Sequence, residues 1–211
     1  QRSLVGSEMC IRDSIVRKEI AATKKKKAVE RSSIDQRIDY RWIDLRTDEN
    51  QLMFKAQSCF VNAMRKFLLD RNFIEIHTPK LIAAASESGS EVFKVDYFDR
   101  NAYLAQSPQF YKQMAMAAGF ERIFETGPVF RAEKSYTNKH ATEFSGFDLE
   151  FSYITSYKDV MKMEEELLTA GLQAVKDNYG DQIKEMFGQE VIVPTTPFPV
   201  VKLADLYKGL E

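Results

Sequence analysis

Two strand-like runs on either side of a polar segment constrain the fold of this chain more than any other feature. Residues 123–132 and 144–153 are rich in apolar side chains, which alternate with polar ones at Phe147, Leu149 and Phe151, and residues 133–143 between the two runs are mostly polar. Alternation with a period of two is the pattern of a β-strand that is buried on one face. We therefore predict two antiparallel strands that form a hairpin, with one face packed on a core and the other presenting polar groups.

The polar face of this predicted hairpin carries groups that can bind charged and planar molecules. By alternation, the side chains that share this face are Val129, Arg131, Glu133, Phe144, Gly146, Asp148 and Glu150. A guanidinium, carboxylates and an aromatic ring on one surface, beside a loop with Lys134, Lys139 and His140, can hold a phosphate, a base and an ammonium together. The alternative is an amphipathic hairpin whose charged face is only solvated, and the alternation is compatible with both.

Composition limits the classes of protein to which the chain can belong. Its 211 residues include 44% hydrophobic and 29% charged side chains with a formal net charge of -1, which is typical of a globular protein. This balance disfavours an autonomous nucleic-acid-binding module but allows an enzyme that contacts RNA through a local patch. Cys10 and Cys59 are too few for a disulfide framework or a zinc site. With no membrane-length apolar run and no signal-peptide core, we predict a cytoplasmic protein without a membrane partner.

Local start and stop signals predict three helices around the hairpin. The predicted helices are bounded by Thr47 and Arg71, by Ser107 and Gly119, and by Ser156 and Phe187. The first residue of each pair is a hydroxyl side chain that can cap the free N–H groups of a helix N-terminus. Pro108 is favoured at the first helical position, and a glycine is a favoured stop.

Lys112 is unusual for its position in the second predicted helix. It follows Gln109 by three residues, so both side chains project from one face of the first turns. A cation near a helix N-terminus is unfavourable, because the partial charge there is positive. The position therefore favours a ligand or partner of opposite charge for Lys112, and the alternative is an exposed surface lysine.

The N-terminal part of the chain gives little information about the fold. Residues 1–14, QRSLVGSEMCIRDS, show no usable period, and we interpret them as a non-native tail translated from an adapter. Residues 15–36 are predicted to be a basic linker, with four consecutive lysines from Lys24 to Lys27. This run is either a solvated linker or helix face, or an electrostatic contact with nucleic-acid phosphates.

Five sequence blocks together carry a resemblance to a known family. In chain order they are RWIDLR, EIHTPKL, SES, AYLAQSPQFYKQ and FRAE. The set resembles the class II aminoacyl-tRNA synthetases, and most of all the aspartyl-tRNA synthetases of the archaeal and eukaryotic type. The resemblance implies an α+β fold, an antiparallel sheet flanked by helices, with residues 37–211 as the N-terminal part of the catalytic domain. Motif 3 and the anticodon-binding domain have no counterpart here, so we expect the 211 residues to be inactive alone.

The resemblance also implies how the chain would bind ATP. Arg131, in FRAE, would contact the α-phosphate with its planar and permanently charged fork. Glu133 would accept a hydrogen bond from the adenine amino group, and Phe144 would stack on the adenine. Lys139 and His140 lie in the motif 2 loop, which contacts the triphosphate and the acceptor end of tRNA in the family. Most relatives have arginine in place of Lys139, so this position replaces a bidentate contact by a point charge.

A second group of residues would bind the amino acid. Glu87 matches the glutamate that receives the substrate ammonium, and Asp148 matches an acidic residue of the pocket. Gln109 and Lys112 match a pair that contacts the substrate, with the lysine facing its side-chain carboxylate. The resemblance implies Mg²⁺ as a cofactor with ligands beyond the C-terminal end of the chain, and no metal ligand within it.

The function that the resemblance implies is that of an aspartate–tRNA ligase. Such an enzyme activates L-aspartate with ATP to aspartyl-adenylate and transfers it to tRNA(Asp); whether tRNA(Asn) is also charged is left open. Phe54 to Leu81 covers motif 1, so we expect a homodimer through this segment. The alternatives are an asparaginyl-tRNA synthetase paralogue and a non-catalytic, synthetase-derived binding or dimerisation module.

Overall fold

The structure is a computed structural model that describes residues 17–19, 29–84, 92–132 and 141–208. The backbone divides into two compact units. The first comprises Gln1–Ala63 and Thr169–Thr195, and the second comprises Met64–Leu168 and Thr196–Glu211. None of the helices in the described ranges is long and apolar enough to cross a membrane.

The described part of the chain contains both helices and strands. The helices are α1 (Ile34–Asp39), α2 (Arg41–Asp44), α3 (Asp48–Leu69), α4 (Gln109–Ala117), α5 (Tyr157–Phe187) and α6 (Leu203–Lys208). The strands are β1 (Arg17–Glu19), β2 (Val29–Arg31), β3 (Ile74–Glu75), β4 (Leu81–Ile82), β5 (Lys94–Tyr97), β6 (Arg100–Leu104), β7 (Arg122–Phe130) and β8 (Glu143–Phe151). Mixed helices and mainly antiparallel strands confirm the predicted α+β class.

In the first unit, one buried carboxylate connects α1, α2 and the start of α3. Asp44 is 1% exposed, and it accepts hydrogen bonds from Arg37 Nε at 2.8 Å and from the guanidinium of Arg41. The backbone carbonyl of the same residue accepts from Thr47 Oγ1 at 2.9 Å. Thr47 Oγ1 in turn accepts from the backbone N–H of Asn50 at 3.4 Å, which is the predicted helix cap.

The second unit is built on the long pairing of β7 with β8. The two strands are antiparallel over nine residues each, from the Arg122–Phe151 pair to the Phe130–Glu143 pair. β3 adds to the other side of β7 in parallel, giving the order β3-β7-β8. A second sheet has the order β4-β6-β5 and is antiparallel throughout. The predicted hairpin pairing is therefore confirmed.

Apolar packing on one face of this hairpin fixes which face remains for chemistry. Phe124 is fully buried, and its ring stacks on Phe147 with centroids 5.9 Å apart. Phe151 meets Phe73 edge-on at 5.9 Å. Burial of aromatic side chains is a large favourable contribution, so it holds the hairpin in this register.

The hairpin strands end slightly earlier than the sequence predicts. The first ends at Phe130 instead of residue 132, and the second ends at Phe151 instead of residue 153. At the second end, Tyr153 adopts φ 60°, a left-handed conformation that cannot continue a strand. At the first end, the Arg131 backbone N–H still donates to Thr142 O at 3.0 Å, so Arg131 stays aligned with the hairpin.

The predicted C-terminal stop of α4 and both predicted ends of α5 are confirmed, whereas α4 begins one residue later than predicted, at Gln109, with Pro108 in place of Ser107 as the N-cap. Gly119 has φ 94°, its N–H donates to Met116 O, and the next N–H donates to Ala115 O, which is a Schellman motif. α5 ends at Phe187 as predicted. At its start, Ser156 Oγ accepts from the backbone N–H of Lys158, and Asp159 accepts from the backbone N–H of Ser156. This reciprocal pair is the predicted capping signal.

Neutralising Asp44 should destabilise the first unit. Burial raises the pKa of Asp44, but the hydrogen bonds and charges of Arg37 and Arg41 outweigh it, so the pKa lies below its ordinary value of 3.8. A lowered pKa contributes stability above the unfolded-state pKa, and this contribution is lost as pH falls through the folded-state value. Asp44→Asn should therefore reduce the free energy of unfolding by about 1–3 kcal/mol at pH 7, and by less near pH 3.

Urea unfolding of the chain, followed by the fluorescence of Trp42 in α2, measures this loss. Asp39→Asn is the matched control, because Asp39 is an exposed aspartate at the end of the neighbouring helix α1. Equal effects of the two substitutions, or a loss at Asp44 that does not shrink in acid, would contradict the role of the ion pairs.

Candidate functional site

A small cavity opens on the polar face of the β7–β8 hairpin. Its volume is about 90 Å³, and seven lining residues come from this face: Glu125, Gly127, Val129, Arg131, Phe144, Gly146 and Asp148. The rest of the lining comes from Lys80 and from Gln106 to Pro108. This volume holds only a few atoms, so a ligand as large as a nucleotide would extend over the ring of Phe144, which is 39% exposed.

Arg131 lies at one end of this cavity beside an aromatic ring. Its guanidinium carbon is 5.4 Å from the centroid of the Phe144 ring, which is within the range of a cation–π interaction. Its Nε is buried, and no hydrogen bond to it is formed within the described residues. A buried N–H without a partner is unfavourable, so the guanidinium is suited to receive an acceptor such as a phosphate oxygen.

Lys112 in α4 is buried and neutralised by two carboxylates of β8. The residue is 5% exposed, its Nζ forms an ion pair with Asp148 Oδ1, and the same atom lies 3.2 Å from Glu150 Oε2. Asp148 and Glu150 share one strand face because they are two residues apart. The alternative of an exposed surface lysine is therefore wrong, and the favoured partner of opposite charge is found within the chain itself.

A second buried ion pair lies beside the first. Glu125 is 3% exposed; its Oε1 accepts from Lys80 Nζ at 2.8 Å and from the Thr78 N–H at 2.9 Å. Its Oε2 accepts from Thr78 Oγ1 at 2.7 Å. Burial raises the pKa of Glu125, but the hydrogen bonds from Lys80 and Thr78 outweigh it, so the pKa is lowered and the carboxyl is ionised at neutral pH. With two such pairs buried, the alternative of a merely solvated charged face is also wrong.

The structure brings together part of the predicted site. Arg131, Phe144 and Asp148 line the cavity, and Lys112 joins them through Asp148. Gln109 is the first residue of α4, where its backbone N–H donates to Ser107 Oγ at 3.3 Å, and it is not part of the cavity lining. The remaining predicted site residues, Glu87, Glu133, Lys139 and His140, lie outside the described residues. Within the described ranges, no group of three or more His, Cys, Asp and Glu side chains is placed to hold a metal ion.

Sequence reasoning missed three residues of this site. Glu125 lies on the same strand face as Val129 and Arg131, because the three residues are separated by even numbers of positions. Extending the alternation toward the start of β7 would therefore have predicted it. Gln106 and Lys80 have no comparable signal, because they reach the cavity from segments outside the hairpin.

Comparison with known proteins identifies the family. The model of the family described as "tRNA synthetases class II (D, K and N)" matches residues 33–210. The chain therefore belongs to the class II tRNA synthetases of this group. This result confirms both the resemblance stated from the sequence and the assignment of the α+β fold to the class II synthetases.

Individual relatives are similar over most of the chain. It is 48% identical over 167 residues to "Aspartate--tRNA(Asp/Asn) ligase" of Methanopyrus kandleri, covering 79% of this chain and 38% of that protein. It is 47% identical over 165 residues to "Aspartate--tRNA ligase, cytoplasmic" of Homo sapiens, covering 78% and 31%. The crystal structure of asparaginyl-tRNA synthetase from Pyrococcus horikoshii superimposes with a TM-score of 0.77 and 32% identity, covering 88% and 46%. The chain thus spans less than half the length of these relatives.

Proposed function

We propose that the protein to which this chain belongs is an aspartate–tRNA ligase. In the first step, a carboxylate oxygen of L-aspartate attacks the α-phosphorus of ATP, and pyrophosphate leaves with the electrons of the broken P–O bond. In the second step, a terminal ribose hydroxyl of tRNA(Asp) attacks the aspartyl carbonyl and AMP leaves. The observation that carries the proposal is the single sheet face on which Arg131 and Phe144 stand beside the buried Lys112–Asp148–Glu150 cluster.

The Arg131 end of the cavity is the proposed ATP site. Activation of an amino acid depends on positioning and on stabilising the charge of the phosphorus centre, so a fixed guanidinium is well suited to it. The unused Nε of Arg131 supports a contact with the α-phosphate, and the exposed ring of Phe144 supports stacking of adenine. Glu133, Lys139 and His140 stay predicted ATP-binding residues on the family resemblance alone.

The Lys112 end of the cavity is the proposed amino-acid site. An ammonium has three N–H donors, and Asp148 and Glu150 occupy two of them. The third N–H can donate to the side-chain carboxylate of aspartate. Asp148 is about one third exposed, so its carboxylate can accept a hydrogen bond from the α-ammonium of the substrate. Glu87 and Gln109 stay predicted contacts of the same substrate. Mg²⁺ is expected to neutralise part of the triphosphate charge, and no step here is assigned to it.

The relatives support aspartate as the substrate. Identity reaches 48% and 47% with two relatives that are named for aspartate. The first of these names includes both tRNA(Asp) and tRNA(Asn), so either tRNA set is compatible with the proposal. We also propose the cytoplasm as the location, because the human relative is named for it.

We further propose a homodimer formed through Phe54 to Leu81. Four large apolar side chains of this segment are about half exposed: Phe54, Leu69, Ile74 and Leu81. Exposed apolar groups of this size are typical of surfaces that bind another chain. Sedimentation of the full-length protein at micromolar concentration should give a dimer, and Leu69→Glu together with Ile74→Glu should shift it toward monomer. A wild-type protein that sediments only as a monomer would contradict this proposal.

Pyrophosphate exchange tests the proposed reaction and the role of Arg131. The full-length protein should exchange labelled pyrophosphate into ATP when L-aspartate is present. Arg131→Gln should lower kcat/KM for ATP by about 100- to 1,000-fold, as expected for the loss of a donor to the transition-state charge. Arg100→Gln is the control, since Arg100 is a solvent-exposed arginine of β6. Absence of aspartate-dependent exchange by the wild-type protein would overturn the proposed function.

Lys112→Met tests the choice between aspartate and asparagine. Methionine keeps most of the volume of the lysine stem and removes its charge, so a bound side-chain carboxylate would lose its partner. We expect kcat/KM for aspartate to fall by a factor that corresponds to about 3–5 kcal/mol of transition-state stabilisation. The changes in kcat/KM for asparagine and in KM for ATP should be much smaller. Lys162→Met, at an exposed lysine of α5, is the matched control.

Two other results at Lys112 would contradict the assignment. Equal losses for both amino acids would mean that Lys112 only supports Asp148 and Glu150. A wild-type protein that activates asparagine in preference to aspartate would favour the asparaginyl alternative. Purified variants are compared with wild type by urea unfolding, so that a loss of folded protein is not mistaken for a loss of specificity.

A further inference from the structure

Two carboxylates face each other across the hairpin at the wall of the cavity. Glu125 of β7 and Asp148 of β8 are direct cross-strand partners, and both line the cavity. Like charges directly opposite each other in a sheet are unfavourable. Each carboxylate has a separate lysine from outside the hairpin: Lys112 pairs with Asp148, and Lys80 pairs with Glu125.

Lys80 is held firmly in this position. Its backbone carbonyl accepts from the Ala105 N–H at 2.9 Å, and its Nζ donates to Thr78 Oγ1 at 3.1 Å as well as to Glu125. The stem crosses Gly127, where an added Cβ would lie 3.4 Å from Lys80 Cε and 3.4 Å from Glu125 Oε1. The absence of a side chain at Gly127 therefore provides the space in which this ion pair packs at the wall of the cavity.

We infer that Lys80 and Glu125 are a positioning pair for the proposed reaction, in which Lys80 neutralises Glu125 so that anionic substrates can enter the cavity. This inference rests on the proposed function, in which ATP and aspartate both arrive with negative charge. Glu125 fixes the Thr78 to Lys80 segment by accepting three hydrogen bonds through its two carboxylate oxygens. Without the lysine charge, the same carboxylate would repel both substrates across a poorly solvated site.

The charge argument makes a prediction that a purely structural role does not make. Lys80→Met leaves Glu125 buried and uncompensated, so KM should rise for both ATP and aspartate. Adding Glu125→Gln to this variant removes the uncompensated charge, and the glutamine oxygen can still accept from Thr78. The double variant should therefore bind the substrates better than Lys80→Met, although it has lost one more native group.

Pyrophosphate-exchange kinetics of the full-length protein measure this rescue. We expect Lys80→Met to raise KM for ATP and for aspartate by about tenfold or more, because the binding of a charged group depends on its compensation. The double variant Lys80→Met with Glu125→Gln should have KM values for ATP and aspartate at least fivefold lower than those of Lys80→Met. Lys184→Met, alone and with Glu190→Gln, is the matched control, because these residues form a lysine–glutamate pair on the exposed surface of the chain.

The outcomes separate this inference from the proposed function. If the wild-type protein exchanges pyrophosphate with aspartate but Lys80→Met leaves both KM values unchanged, only the inference is wrong. If the double variant is as impaired as Lys80→Met or more so, the pair is structural and the inference is likewise wrong. If Lys80→Met fails to fold, Lys80→Gln replaces it, because glutamine keeps a hydrogen-bond donor. Lys80→Gln is then compared with the double variant Lys80→Gln with Glu125→Gln.

Discussion

The nine-residue pairing between β7 and β8 is the constraint on which the candidate site depends. In this register Glu125 is opposite Asp148 and Val129 is opposite Phe144, so the groups that line the cavity share one face. A slip of one residue would turn every side chain of a strand to the other face. The fully buried Phe124 on the opposite face makes such a slip costly, because the slip would remove its ring from the packing against Phe147. The apolar packing on the opposite face thus specifies the arrangement of the polar site.

The hairpin supplies carboxylates, and the elements around it supply the ammonium groups that neutralise them. Lys112 comes from α4 and Lys80 from the segment between β3 and β4. Buried ion pairs contribute little to stability compared with apolar residues of the same volume, since each charge must be removed from water. Two adjacent pairs beside one cavity are therefore better explained by what the cavity binds than by the stability of the fold. The site is complete only after tertiary assembly, because an isolated hairpin would have its anions and lack its cations.

Much of the fold follows from signals that are local in the sequence. Alternation identifies the polar face of the hairpin, and Gly119 and the Ser156–Asp159 pair mark helix ends because their effects involve only neighbouring backbone groups. The unfavourable helix position of Lys112 indicates that it needs a negative partner, but not which one. The contact of Glu125 with Thr78 joins residues 47 positions apart, and no local pattern encodes such a meeting. For the same reason nothing in the sequence around Lys80, which follows a proline, indicates that it lies at the cavity.

The charge balance around Lys112 determines how an amino acid could be recognised there. One ammonium and two carboxylates leave the cluster with a net negative charge, which by itself attracts the α-ammonium of any amino acid. The same net charge repels the side-chain carboxylate of an aspartate substrate, so charge alone would favour asparagine over aspartate. A preference for aspartate must therefore come from the direct contact, because the third N–H of Lys112 is attracted more strongly to a charged carboxylate oxygen than to a neutral amide oxygen. Because Asp148 and Glu150 fix the other two N–H groups, they also fix the direction of the third. Selectivity in such a site depends on the orientation of one buried ammonium as well as on its charge.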